Sequence, residues 1–132
     1  MSNHDLVQQF KTATDGLLFM SESDYPFEIH DWKDLPQVTP DHLKQLAGLP
    51  ADTPIEETTV DNFFRPAVRN YEGQSETARS TSERYRQLLQ LIRDNLTDVT
   101  VYKLGRINMP VFIVGKTRSG SWMALSTRVV ET

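Results

Sequence analysis

Hydrophobic and polar positions change period repeatedly along this chain, and those changes divide it into elements. Leu6, Val7, Phe10, Ala13 and Leu17 recur at helical intervals, which puts them on one buried stripe. Ser2 and Asp5 stand at capping-box spacing ahead of that stripe, and Asp15-Gly16 ends or loosens the helix. Leu17 to Met20 then read as chain on its way into a core. They run directly into Ser21, Glu22, Ser23 and Asp24 before Tyr25-Pro26 resets the backbone. After Pro26 the period drops to two: Phe27 and Ile29 alternate with Glu28 and His30, the pattern of a half-buried strand.

Thr39-Pro40 reads as a cap followed by proline at the first helical position, with Leu43, Leu46 and Ala47 as a short stripe and Gly48 as its stop. Ile55 to Val60 predicts a second strand. Asn62-Phe63-Phe64 starts a short helical turn that Pro66 limits, and Arg65 to Ser75 reads as a loop. From about Ser75 to Leu96 the helical period returns, with Tyr85, Leu88, Leu89, Ile92 and Leu96 on the core face. Arg84, Arg86, Arg93 and Asp94 fall on or near the polar side.

The last third is strand-like. TVYKLG, INMPVFIVG and SWMALSTRVVE are separated by Gly105-Arg106 and by Lys116 to Gly120, which predicts a meander. The middle run is apolar on both faces, as a covered central strand would be. Pro110 early in it predicts a bulge or a locally unpaired position. Together these elements predict one α+β domain over residues 1–132, an α/β/α sandwich whose mostly antiparallel sheet is flanked by helices.

Composition narrows the function. The net charge of −4 argues against a nucleic-acid reader and suits a partner with a cationic cleft. Cysteine is absent, which excludes a disulfide framework, a thiolate zinc site and a cysteine nucleophile. The N-terminus lacks the pattern of a signal peptide, and no apolar run approaches the ~20 residues that span a membrane. A soluble, cytoplasmic protein is the expectation.

Catalytic constellations are hard to find. His4, His30 and His42 share no metal-ligand spacing, and Glu56-Glu57, adjacent on a strand, point to opposite faces. No Gly-rich phosphate loop is present, and the arginines of the long helix read as a solvated face interleaved with Glu76, Glu83 and Asp94. Two stretches stand out. Serine and aspartate are ordinary loop residues, but Glu22 gains nothing evident in its loop, because no helix start follows within reach. At the other end, STRVVET keeps strand chemistry to its last residues. A docked strand there would hold the Thr132 α-carboxylate, which titrates near ~3.5, nearly rigid. Such a group can act as a hard oxygen ligand for Mg²⁺ or mimic a phosphate oxygen, although a strand-ending terminus is also an ordinary feature.

Taken in order, DGLLFMSESDYPFE (15–28), VDNFF (60–64), YRQLLQLIRDNL (85–96), VYKLG (101–105) and STRVVET (126–132) resemble the nuclease A inhibitor family of cyanobacterial and related proteins. The resemblance covers nearly the whole chain, and GLLFMSES together with the VVET ending is its most specific part. It implies a one-domain α/β/α sandwich with no catalysis and no cofactor of its own. Such a protein plugs the active site of a sugar-non-specific, Mg²⁺-dependent DNA/RNA nuclease in a 1:1 complex and is a monomer when free.

Carried over residue by residue, the resemblance assigns the contact with the catalytic Mg²⁺ to the Thr132 carboxylate. It assigns to Glu22 the contact with cationic residues that would hold the scissile phosphate. Ser21, Ser23, Asp24, Glu131 and Tyr71 complete the expected partner-binding set. One departure bears on affinity and target identity: Asn70 stands where the family has a tryptophan before its Tyr-Glu pair. The competing expectations are a regulatory binding module with a non-nuclease partner and a small hydrolase using Glu22 or Asp24 as a base. For the hydrolase, sequence shows no nucleophile, metal cluster or nearby histidine.

Overall fold

The computed structural model describes residues 3–20, 24–32, 35, 37–68, 73 and 75–130, with the backbone alone for residues 3, 19, 20 and 24. The elements run α1 (Asn3–Thr14), β1 (Leu18–Met20), β2 (Asp24–Pro26), β3 (Glu28–Trp32), α2 (Pro40–Leu46), β4 (Ile55–Thr58), α3 (Val60–Val68), α4 (Glu76–Asn95), β5 (Thr97–Leu104), β6 (Asn108–Lys116) and β7 (Trp122–Val130). Strands β3 to β7 form one sheet in the order β3-β7-β6-β5-β4, antiparallel at every pairing. β1 and β2 make a separate antiparallel hairpin.

Strand alternation splits the sheet into two apolar faces. On one, Phe27, Val101, Val111, Ile113, Met123 and Leu125 meet Leu6 and Phe10 of α1, Phe63 and Phe64 of α3, and Tyr85, Leu88 and Ile92 of α4. On the other, Leu104, Phe112, Val114 and Ala124 meet Leu43 of α2, with Trp32, Ile55, Tyr102 and Trp122 packed around them. The predicted α/β/α sandwich is therefore the observed architecture. β6 is its central strand, buried from Met109 to Gly115.

The long helix starts on the Ser75 cap, whose hydroxyl accepts from the Ala78 amide, and its predicted core residues are all buried. Thr39 caps α2 by accepting from the His42 amide, with Pro40 behind it. Gly48 follows in the left-handed conformation at φ 71°.

Several local expectations are corrected. Leu46 lies on the exposed side of α2 and Leu18 on the exposed side of the hairpin. Leu17 alone among the side chains described in Leu17 to Met20 enters the core. Val60 belongs to α3 and not to β4, because the Thr59 hydroxyl accepts from the Asn62 amide and starts the helix there. Pro66 sits inside α3 instead of ending it. It removes one amide donor, but Phe63 and Phe64 are buried ahead of it. Arg86 Nη2 donates to the Val68 carbonyl at 2.8 Å, which satisfies the helix end.

Of the two alternatives expected at Pro110, the structure shows the locally unpaired position and not the bulge. β6 pairs with β7 without a shift through Pro110↔Arg128, while its pairing with β5 stops at Lys103↔Val111, one residue short of the proline. The irregularity lies in β5, where Asp98 and Val99 together oppose Gly115 between the pairs Thr97↔Lys116 and Thr100↔Val114. Asp98 carries the strain at φ 53°, a conformation that aspartate tolerates better than most residues. A Cβ on Gly115 would stand 2.9 Å from Leu96 Cβ and 3.0 Å from Val99 Cγ2. The close approach of the α4–β5 junction thus requires glycine.

Gly115→Ala should cost about 1–3 kcal/mol, the usual range for overpacking a filled core. Urea unfolding checks this. A variant as stable as the parent would show that the junction relaxes freely.

Candidate functional site

The hairpin β1–β2 presents the acidic stretch, and its placement is built from the end of α1 upward. Gly16, at φ 71°, turns the chain out of α1, and the Leu17 amide donates to the Thr14 carbonyl at 2.9 Å. Arg84 of α4 reaches across and donates from Nη2 to the Ala13 carbonyl at 2.9 Å and the Asp15 carbonyl at 2.7 Å. A cation on the last carbonyls of a helix also meets the negative end of its dipole. The Tyr85 hydroxyl donates to the Leu18 carbonyl, so consecutive residues of α4 hold both the helix end and the first hairpin strand. The solvated arginine face expected from sequence is partly a set of inter-element ties. Arg93 likewise pairs with Asp61 of α3.

The hairpin closes through Leu18↔Pro26, Phe19↔Tyr25 and Met20↔Asp24. Ser21, Glu22 and Ser23 are the residues between its strands. They lie outside the described residues, as does the Asp24 side chain. β2 is joined to β7: Thr127 Oγ1 donates to the Tyr25 carbonyl at 3.4 Å, and the Arg128 guanidinium lies 6.0 Å from the centre of the Tyr25 ring. Arg128 Nη1 also donates to Asn108 Oδ1 at 2.9 Å.

β7 stays in register to its last described pairs, Val129↔Met109 and Val130↔Asn108, with Val129 buried. Glu131 and Thr132 follow in sequence and lie outside the described residues, as do Asn70 and Tyr71 of the central stretch. The strand that leads to Thr132 and the strand that leaves the acidic stretch are therefore fixed to one another.

Beside this junction is a groove of about 380 Å³, which sequence reasoning missed. α2 has only seven residues, and the Leu46-Ala47 end of it leaves part of its sheet face uncovered. Glu28, His30 and Trp32 of β3, Phe112 of β6 and Ser126 of β7 line the opening, with Tyr25 and Arg128 at the hairpin side. The period-two reading put Glu28 and His30 opposite Phe27 and Ile29. Trp32, at the same parity, was the signal that this side is not plain solvent-facing surface.

Inside the groove His30 Nε2 and Ser126 Oγ are 2.7 Å apart, and the His30 and Trp32 rings stack at 5.5 Å. Burial, the larger influence, lowers the His30 pKa from the ordinary value of 6.5, and the Glu28 carboxylate opposes it. A serine–histidine contact is the first part of a hydrolytic triad. Among the described residues, however, no carboxylate accepts a hydrogen bond from the other ring nitrogen, so the arrangement stops at a polar pair.

Elsewhere, Glu56 approaches Lys103 at 3.7 Å, while Glu57 pairs across the strands with Tyr102. The two carboxylates diverge as strand alternation predicts. Burial, aided by Glu57, raises the Tyr102 pKa. Among the described residues no group of three or more His, Cys, Asp or Glu is placed to hold a metal ion. No described helix is long and apolar enough to cross a membrane.

A search of curated proteins finds no match to the chain. A comparison with family models matches residues 4–132 to the family described as NuiA, nuclease A inhibitor-like protein.

The His30 environment predicts a pH dependence. With the folded pKa lowered, the unfolded chain binds the proton more readily, so this contribution to stability is complete above the unfolded pKa. It is lost as pH falls through about 6.5 and then through the lower folded value. Urea unfolding at about pH 7.5 and about pH 5 should therefore show a larger loss for the parent than for His30→Gln. Equal losses would show that this histidine does not couple to folding.

Proposed function

The chain belongs to the nuclease A inhibitor-like family, and from that premise we propose that it is a protein inhibitor of a sugar-non-specific, Mg²⁺-dependent DNA/RNA nuclease. The observation that carries this reading is the family match over residues 4–132. The junction of β2 with β7, which brings together the supports of the two acidic stretches, agrees with it. Glu22 then offers its carboxylate to cationic groups that would otherwise hold the scissile phosphate. With Thr132 as the terminal residue, its α-carboxylate meets the nuclease Mg²⁺. Ser21, Ser23, Asp24, Glu131 and Tyr71 extend the contact. The chain itself performs no catalysis and needs no cofactor.

The physical argument is one of charge and pre-organisation. A phosphodiester-cleaving enzyme concentrates a metal ion and cations where substrate charge develops. An inhibitor of net charge −4 is drawn to that field, which raises its encounter rate. A hairpin tied to α4 and β7 has less freedom left to lose on binding than a free loop would have.

In a plasmid-digestion assay with such a nuclease, the parent should slow cleavage. Glu22→Gln, or extension of the chain beyond Thr132, should weaken inhibition by roughly 2–5 kcal/mol, the usual cost of losing one partner of a buried charged pair. If both variants inhibit like the parent, these two residues are not the contact. If the parent leaves digestion unchanged, a regulatory module with a non-nuclease partner becomes the better reading.

A further inference from the structure

The groove beside the hairpin has a composition that selects one kind of occupant. Its floor and walls are aromatic, with Trp32 and Phe112 at 6.1 Å and His30 stacked on Trp32. Glu28 stands exposed at its edge on β3, directly across from Ser126 of β7. The groove also has a cation, but Arg128 is already engaged with Asn108 Oδ1 and the Tyr25 ring. Aromatic faces beside a carboxylate and a hydroxyl suit a flat cation, which can stack on a ring and bond to oxygen at its edge. An aliphatic occupant would leave the carboxylate without a counter-charge and the His30–Ser126 pair covered by apolar surface, at a cost in desolvation.

The location names the donor of that cation. Tyr25 and Pro26 leave the acidic stretch, Arg128 is on the strand that leads to Thr132, and all three line the groove. The described supports of both stretches thus border the groove, so on the inhibitor reading its mouth adjoins the contact. Resting on the inhibitor reading, we propose that the groove is a specificity pocket that receives an arginine side chain of the nuclease, its guanidinium stacked on the aromatic wall and facing the Glu28 carboxylate. An arginine buried in such a pocket is the kind of contact that dominates a protein interface. The pocket would distinguish nucleases that carry this arginine beside the active site from those that share only the catalytic metal and cations.

Two arms test this, and they fail separately. On the free protein, N-acetyl-arginine methylamide is titrated while the Trp32 indole and His30 ring signals are followed by NMR. Saturable shifts in the millimolar range are expected of a single side chain. They should be absent with N-acetyl-norleucine methylamide and in Glu28→Gln. Equal shifts from both amides would overturn the cationic occupant, and no shifts with the arginine amide would overturn the pocket.

In the second arm, dissociation is measured from a nuclease that the parent inhibits. Glu28→Gln should raise the dissociation rate about tenfold. Asp52→Asn, which removes the same charge from the turn before β4 at the opposite edge of the sheet, should leave it unchanged. Identical dissociation of Glu28→Gln and parent would overturn the arginine contact while leaving the inhibitor reading intact. A parent that inhibits no such nuclease would overturn the inhibitor reading and, with it, the identity of the arginine donor.

Discussion

Strand β6 cannot stand at a surface on either side. Its side chains from Met109 to Val114 are buried on alternating faces, so the domain must supply a cover twice. At about 1.5–3 kcal/mol for each large apolar side chain removed from water, both covers are strongly favoured. α1, α3 and α4 form one of them and α2 forms the other. The unequal amount of helix on the two faces follows from the chain: β4 and β5 are joined by two helices, while the link from β3 to β4 carries only the short α2 across the sheet. The groove is what remains of the face that α2 is too short to cover.

The same strand fixes β7 along its described length, and β7 in turn carries the β1–β2 hairpin. Register is maintained from Lys116↔Trp122 to Asn108↔Val130, so the strand is still paired at its last described residue. β2 then attaches to β7 through Thr127 and Arg128. A two-stranded hairpin alone is only marginally stable in water. Here it borrows stability from β7 on one side and, through Tyr85 and the neighbouring Arg84, from α4 on the other. That attachment holds both strands of the hairpin, β1 and β2, against the body of the molecule.

Much of this domain was legible from side-chain periodicity, because burial imposes its period directly on sequence. The helix at 76–95 with its core face, the capped start at Thr39-Pro40, the three-strand meander and the doubly apolar central strand all follow from which positions must avoid water. The acidic stretch and the VVET ending were legible as departures from that logic and as marks of a family, and the structure describes their supports, β1, β2 and β7 through Val130. Tertiary structure decided what no period encodes. Pro66 survives inside α3 because Phe63, Phe64 and Arg86 hold the helix around it, and the bulge falls at Asp98 because Gly115 admits Leu96 and Val99 so closely.

The arginines of α4 show the limit most plainly. Their spacing fixed them to the polar side of the helix, yet Arg84 and Arg86 end on carbonyls of α1 and α3. A long cationic side chain can satisfy its donors in water or on any carbonyl within reach, and sequence contains no measure of that reach. The groove follows the same rule. Glu28, His30 and Trp32 share a face by strand alternation alone, but whether a helix covers that face depends on where α2 stops in space. Hydrophobic burial repeats along a chain and so can be read from it; contacts between polar groups distant in sequence depend on distance in three dimensions, which only the folded structure sets.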